Sequence, residues 1–240
     1  MFEARTYREK VRPDGLVSFT VVVKETDLFI LADSDLSGLA LQEVIRHRHQ
    51  LEHYISKHPE FFRSLRPVQV PAGAPEVVLR MARASEAAGV GPMAAVAGTI
   101  AELVGEALLD ESAEVVVENG GDIYIKTGRP RVVSIYAGSS PLSEKVGLNI
   151  KPEDTPIGVC TSSAKVGPSL SLGRADAACV LSGSTALADA AATAVGNAAK
   201  SPDDIEKALA VAGGIPGVLG AVVVVGDRLG AWGKVELVKL

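Results

Sequence analysis

The order in which two hydrophobic periods succeed one another most constrains how this chain can fold. Apolar and polar residues alternate at period two in "LVSFTVVVKE" and "TDLFILA". A stretch of helical period follows. Leu36, Ala40, Val44, His47, Leu51, Tyr54, Ile55 and Phe62 recur at spacings of three and four, with Arg46, Arg48, Gln50, Glu52 and Lys57 opposite. Two further helical segments are "PEVVLRMARASEAAG" and "PMAAVAGTIAELVGEALL". Period two then returns in "AEVVVEN", "GDIYIKT", "RVVSIYA" and "KVGLNIK", which read as a meander with glycine turns. Helices over 184–199 and in "SPDDIEKALAVAGG" come next, and "VLGAVVVVGDRLGAWGKVELV" closes the chain as a hairpin. This grouping is not the strict alternation of a doubly wound sheet. It predicts an α+β fold, antiparallel sheets covered by helices. Strand and helix groupings in both halves leave room for a pseudo-duplicated arrangement. No linker divides the chain, so residues 1–240 read as one domain.

Local signals fix several ends. Pro13-Asp14-Gly15 reads as the turn between "RTYREKV" and the next strand. Ser34 or Asp35 offers the cap of the long helix, Gly89 a helix stop and Pro92 a helix start. Ser201 with Pro202 reads as an N-cap followed by proline at the first helical position.

A net charge of −5 disfavours nucleic acid and anionic membrane surfaces as partners, because both need a basic face. Two cysteines, Cys160 and Cys179, are too few for a disulfide framework and have no zinc spacing. They read as small core residues in a reduced compartment, so the expected location is cytoplasmic. The charged start, "MFEARTYREKV", has no apolar core of a secretion signal, and no apolar run is long enough to span a bilayer.

Four stretches carry candidate chemistry. In the first, Asn119-Gly120-Gly121-Asp122 interrupts two apolar strands. A two-residue Gly-Gly hairpin explains it without any ligand. Equally, missing side chains let a phosphate or a ring approach the backbone amides, with Asp122 holding a hydroxyl or orienting a neighbour. The second is the hydroxyl- and glycine-rich "TSSAKVGPSLSLG". It is either a plain surface loop or a donor-rich wall, with Thr161, Ser162, Ser163, Gly167 and Ser169 as candidates. No histidine lies beside it to activate a serine. In the third, Asp189 and Thr193 stand four apart in an alanine-rich helix and share one face. A carboxylate plus a hydroxyl suits Mg²⁺, though a solvated Asp189 and a Thr193 bonded to its own i−4 carbonyl account for them as well. The fourth, "GVGPMAAVAGTIAE", either opens a helix toward an anion through Gly91 and Met93 or simply packs closely. His47, His49, His53 and His58 all fall in the long helix and read as solvated or capping groups, and Trp232 reads as core.

Taken in order, "GVGPMAAVAGTIAE", "VENGGDIYIKTG", "TSSAKVGPSLSLG" and "ADAAATAVGN" resemble the ApbE-like superfamily, whose founding members are FAD:protein FMN transferases. The stretches are most similar to a small, functionally uncharacterised prokaryotic branch of it. The resemblance is clear over residues 89–197 and follows only element order in the first 70. It implies a T-fold-related ApbE-like domain with a flavin-nucleotide pocket walled by residues 119–122. It also implies Mg²⁺ held by Asp189 and Thr193 beside a diphosphate. The expected ligand is therefore FAD, FMN or another nucleotide diphosphate, with transfer or hydrolysis as the reaction class. The alternative is a non-catalytic binding or accessory protein of redox-cofactor or sulfur metabolism, and a homo-oligomer is compatible with either.

Two departures bear on activity. The transferases carry His-x-x-Asp-Pro between the Thr-Ser loop and the metal helix, whereas "GPSLSLGRADAACVLSGS" has no histidine. Ser169, Ser171 and Asp176 are the candidate replacements. A Lys-Gly pair in the transferases is Ala97-Gly98 here.

Overall fold

The computed structural model describes residues 8, 11, 13–163 and 173–240. The strand expected in "RTYREKV" falls largely outside them, as do Gly167, Ser169 and Ser171. The first strands described are β1 (Val17–Val23) and β2 (Thr26–Ala32). They form a hairpin whose register places the turn at Lys24 and Glu25. Pro13 to Gly15 makes a separate turn ahead of β1, closed by Leu16 N donating to Pro13 O.

Helix α1 (Ser37–Lys57) buries Ala40, Val44, His47, Leu51 and Tyr54, the stripe expected from the spacing. Asp35 does hold its start, because a carboxylate oxygen accepts from Ser37 N at 2.9 Å. The chain breaks at His58 and restarts as α2 (Pro59–Arg63). Helix α3 (Glu76–Ala88) stops at Gly89, whose φ of 69° is the left-handed C-terminal conformation that glycine tolerates. A 3₁₀ turn, Pro92–Ala95, leads into α4 (Val96–Leu108).

Strands β3 (Val115–Asn119) and β4 (Asp122–Lys126) follow, then β5 (Arg131–Ser134) and β6 (Val146–Ile150). The expected four-stranded meander is not what forms. β4 pairs with β7 (Ile157–Ser162), while β5 and β6 form a separate sheet with β11 (Leu237–Lys239). Local alternation marks a strand but carries no record of its partner.

Beyond β8 (Ala177–Ser182), α5 (Thr185–Ala198) is capped by Ser184, whose Oγ accepts from Leu187 N at 3.3 Å. A 3₁₀ turn at Pro202–Asp204 precedes α6 (Ile205–Gly214), and β9 (Val218–Val225) and β10 (Arg228–Gly233) complete the large sheet.

That sheet runs β1-β2-β3-β4-β7-β8-β9-β10, antiparallel throughout. The α+β expectation therefore holds. Each half contributes two strands, then helices, then two strands, in the same left-to-right order. Helices α1, α3 and α4 cover the first half through Leu28, Ile30, Val44, Met81 and Ile100, and α5 and α6 cover the second through Val180, Val195 and Val223. The other face packs on the small sheet through Ile125, Leu148, Ile150, Val159 and Val222. Each fully buried aliphatic of this kind is worth roughly 1.5–3 kcal/mol.

Two expectations need correcting. His47 is buried at 3 % exposure because it lies on the inward stripe of α1, whereas His49 and His53 face solvent and the half-exposed His58 stands at the helix C-cap. Trp232 is 39 % exposed, because β10 is an edge strand. Both cysteines are free and buried, as expected. Among the described residues no single helix is long and apolar enough to cross a membrane.

Candidate functional site

Residues 119–122 form a turn before they form anything else. Asn119 and Asp122 are paired across β3 and β4, and Gly120 and Gly121 sit at φ 71° and 106°. Two consecutive positive φ values give a type I′ hairpin geometry that few residues other than glycine accept. Asn119 and Asp122 share the face that looks toward the helices. Asn119 Nδ2 donates to Ala97 O at 3.0 Å, which ties the turn to the start of α4. Asp122 is opposite Cys160 on β7, and the neighbouring Cys160 thiol and Thr161 amide are the groups that favour its charged form. The same thiol lies 3.4 Å from Thr185 O at the start of α5.

Asp189 approaches from α5. Its Oδ2 accepts from Gly98 N at 2.8 Å, and the Ala97 amide also contributes. These are unpaired amides of the first turn of α4, which favour an anion. The amides that meet a carboxylate are thus those of Ala97 and Gly98 in α4, and not those at Gly91 and Met93, where the sequence points to an anion. Gly98 makes this approach feasible: a Cβ there would stand 2.5 Å from Thr185 O and 2.7 Å from Asp189 Cβ. Gly158 does the same between β7 and α5, where a Cβ would stand 2.4 Å from Thr185 Cα. In return, Glu102 of α4 accepts from Ala186 N at 2.8 Å and Ser184 Oγ at 3.1 Å. Each helix supplies the carboxylate for the other's N-terminus.

The electrostatics are unbalanced. Burial pushes Asp122 well above the usual carboxylate range, and the neighbouring Asp189 pushes it further. Burial likewise raises Asp189 to about 7, in spite of its two amide donors. Burial and the two carboxylates raise the Cys160 thiol as well. Among the described residues no Lys, Arg or His pairs with Asp122 or Asp189. Two carboxylates sharing a dry space need a cation or a proton between them. The donor chemistry, two carboxylates with hydroxyls nearby, suits a hard divalent ion. Thr185 and Thr193 lie one turn to either side of Asp189. The buried Thr185 hydroxyl has no partner, and Thr193 does not back-bond to Asp189 O as Thr99 does to Ala95 O. Among the described residues no three His, Cys, Asp or Glu side chains converge as a cage. An ion here would therefore draw further oxygens from hydroxyls, backbone and ligand.

Not every expected residue lies at this centre. Ser162 is on the helix side of β7, with its Oγ 3.6 Å from where a Cβ on Gly196 would be. Thr161 points its side chain to the other face, against Cys179, and offers only its amide to Asp122. Ser163 follows β7 directly. Gly91 is buried under the residue 64–65 backbone, where a Cβ would meet Ser64 O at 1.9 Å, and Met93 packs into the first core. Both therefore answer to packing. Asp176 is engaged elsewhere, accepting from Gly226 N at 2.7 Å. Ala97, Gly98, Gly158, Cys160 and Thr185 were missed, since backbone donors and close approaches leave no side-chain signature. Two surface concavities hold none of these groups: one of about 240 Å³ beside Lys151 and Lys234, and one of about 500 Å³ between α6 and β10.

Comparison with other proteins agrees with this architecture. The family model described as AbpE bacteria matches residues 8–228. The UPF0280 protein of Methanocella arvoryzae is 46 % identical over 213 residues, covering 88 % of this chain and 86 % of its own. The UPF0280 protein MJ1526 of Methanocaldococcus jannaschii is 43 % identical over 226 residues, covering 91 % and 92 %. Among solved structures, the apo flavinyl transferase ApbE of Pseudomonas stutzeri superposes with a TM-score of 0.60 at 16 % identity, over 91 % of this chain and 94 % of that one. The flavin transferase ApbE of Vibrio cholerae gives 0.60 at 16 %, over 91 % and 96 %. The fold is that of the ApbE flavin transferases.

Proposed function

The chain belongs to the AbpE bacteria family, and on that premise we propose that it binds a flavin nucleotide, FAD or FMN, or another nucleotide diphosphate, together with Mg²⁺. The ligand would lie between the residue 119–122 turn and α5, with Ser162 and Ser163 at its side. The observation that carries this reading is the buried pair Asp122 and Asp189, which no basic side chain among the described residues balances. Asp189 and Thr193 would hold the ion, with the Asp122 carboxylate beside Asp189. Bound Mg²⁺ supplies Lewis-acid charge to a diphosphate oxygen. The protein's own contribution is orientation. Gly98 and Ala97 amides fix one carboxylate, the Thr161 amide fixes the other, and Asn119 locks the turn to α4. Residues 1–240 act in this reading as one ApbE-like domain in the cytoplasm.

Transfer or hydrolysis at the diphosphate is the reaction class such a site serves. One observation favours binding without turnover. All four histidines lie in α1 or at its C-terminal end, and none acts on Asp122 or Asp189. Phosphoryl-type transfer rests largely on positioning and charge, so product analysis decides between the two readings.

The test is a thermal-shift titration with FAD, FMN, ADP and ATP, each with and without Mg²⁺. Ligand at 100 times Kd adds about 2.7 kcal/mol to the folded state. A Mg²⁺-dependent rise that Asp189→Ala abolishes supports the site, and no rise with any nucleotide sinks it. Mass analysis of FAD after incubation shows FMN or AMP only if the protein is an enzyme.

A further inference from the structure

The turn at Gly120 and Gly121 is held from both faces of the sheet. Asn119 holds it on the helix face. On the opposite face stands Glu118, paired across the strands with Phe29. One Glu118 oxygen, Oε1, accepts from Gly121 N at 3.1 Å. The other, Oε2, accepts from Arg8 Nε at 2.6 Å, across 110 residues of sequence. Arg8 is itself anchored. Its Nη1 donates to Asp27 Oδ1 at 2.7 Å, its Nη2 to Asp27 O at 2.8 Å, and its guanidinium lies 5.7 Å from the Phe29 ring centroid. The Arg8 and Glu118 side chains are only 13 % and 9 % exposed, so the bridge is shielded from water. The planar guanidinium fork serves three acceptors from three separate nitrogens, a spread that a lysine's single ammonium nitrogen does not match.

We propose that Arg8 is a positioning residue for the candidate site, acting through Glu118 to fix the Gly121 amide and with it the carboxylate of Asp122. The ligand-binding consequence rests on the proposed function, whereas the coupling from Arg8 to the turn stands on its own. Loss of the Arg8 bond would loosen the hold of Glu118 on the Gly121 amide. Asp122, next in the chain, would then lose its fixed direction.

The experiment is residue-resolved amide exchange on the full-length protein without ligand, for the wild type, Arg8→Gln, Arg8→Lys and Glu118→Gln. The Gly226 amide, held by Asp176 in another turn, is the internal reference. Arg8→Gln and Glu118→Gln are expected to speed exchange at Gly121 roughly tenfold, about the loss of one charge-assisted hydrogen bond, with Gly226 unchanged. Arg8→Lys keeps the charge for folding and should restore part of the protection. Unchanged exchange at Gly121, or equal acceleration at Gly226, overturns the proposal. In the same variants the Kd for FAD with Mg²⁺ should weaken by a similar factor. If the wild type binds no nucleotide, the proposed function fails while the exchange data still decide the role of Arg8.

Discussion

Asp189 combines two opposing influences. Two amides stabilise its charged form, yet burial wins and lifts it to about 7. Its unfolded value is near 3.9, so the folded state holds the proton more tightly. Stability from this group is full below about pH 4 and is lost as pH rises toward 7. His47 runs the other way. Burial and Arg46 depress its pKa, so its contribution is lost as pH falls below about 6.5. The informative quantity is therefore a difference. Without added cation, the melting temperature of Asp189→Asn relative to wild type should climb between pH 5 and 7.5. Added Mg²⁺ should close that gap. Parallel profiles would mean that the carboxylate is not strained. Turn chemistry and spacing single out Asp122, Asp189 and Thr193 as candidates, and only the family resemblance gives them a role. The amides of Ala97 and Gly98 were not legible, because every residue has one. Cys160 resembled any core thiol until its strand partner was known.

The element that organises the site is α5, which packs on β7, β8 and α4 with almost no side-chain bulk. Ala188, Ala190, Ala191 and Ala192 are all buried. The sequence showed this helix, the Gly120-Gly121 turn and the closing hairpin. It did not show that β5 and β6 leave the main sheet, since their partner β11 lies near the other end of the chain. Close approach at Gly158 gives a direct test. Gly158→Ala puts a methyl against Thr185 Cα and should cost about 1–3 kcal/mol in chemical denaturation, the usual range for overpacking. Because β7 carries Cys160 and the Thr161 amide, the same variant should weaken nucleotide binding. Unaltered stability would show that α5 can move away freely.

At the scale of the molecule, two similar strand–helix–strand halves meet where β4 pairs with β7. Asp122 and Gly98 belong to the first half, and Cys160 and Asp189 to the second. A continuous sheet with the site at its seam should unfold as one unit. Trp232, packed on Gly213 of α6, reports on the second half. Its fluorescence and the far-UV signal should give coincident denaturation curves, both shifted equally by nucleotide with Mg²⁺. Separate transitions would show that the halves melt independently.

The exchange of carboxylates between α4 and α5 has one more consequence. Asp189 reaches back 91 residues to Gly98, and Glu102 reaches forward 84 to Ala186. A one-residue slip of either helix along its axis uncaps both together, while the loops between them can change length without touching either bond. The two helices thus work like interlocked keys: length changes confined to the surface loops between them leave both bonds in place, and a one-residue insertion inside either helix unlocks the pair.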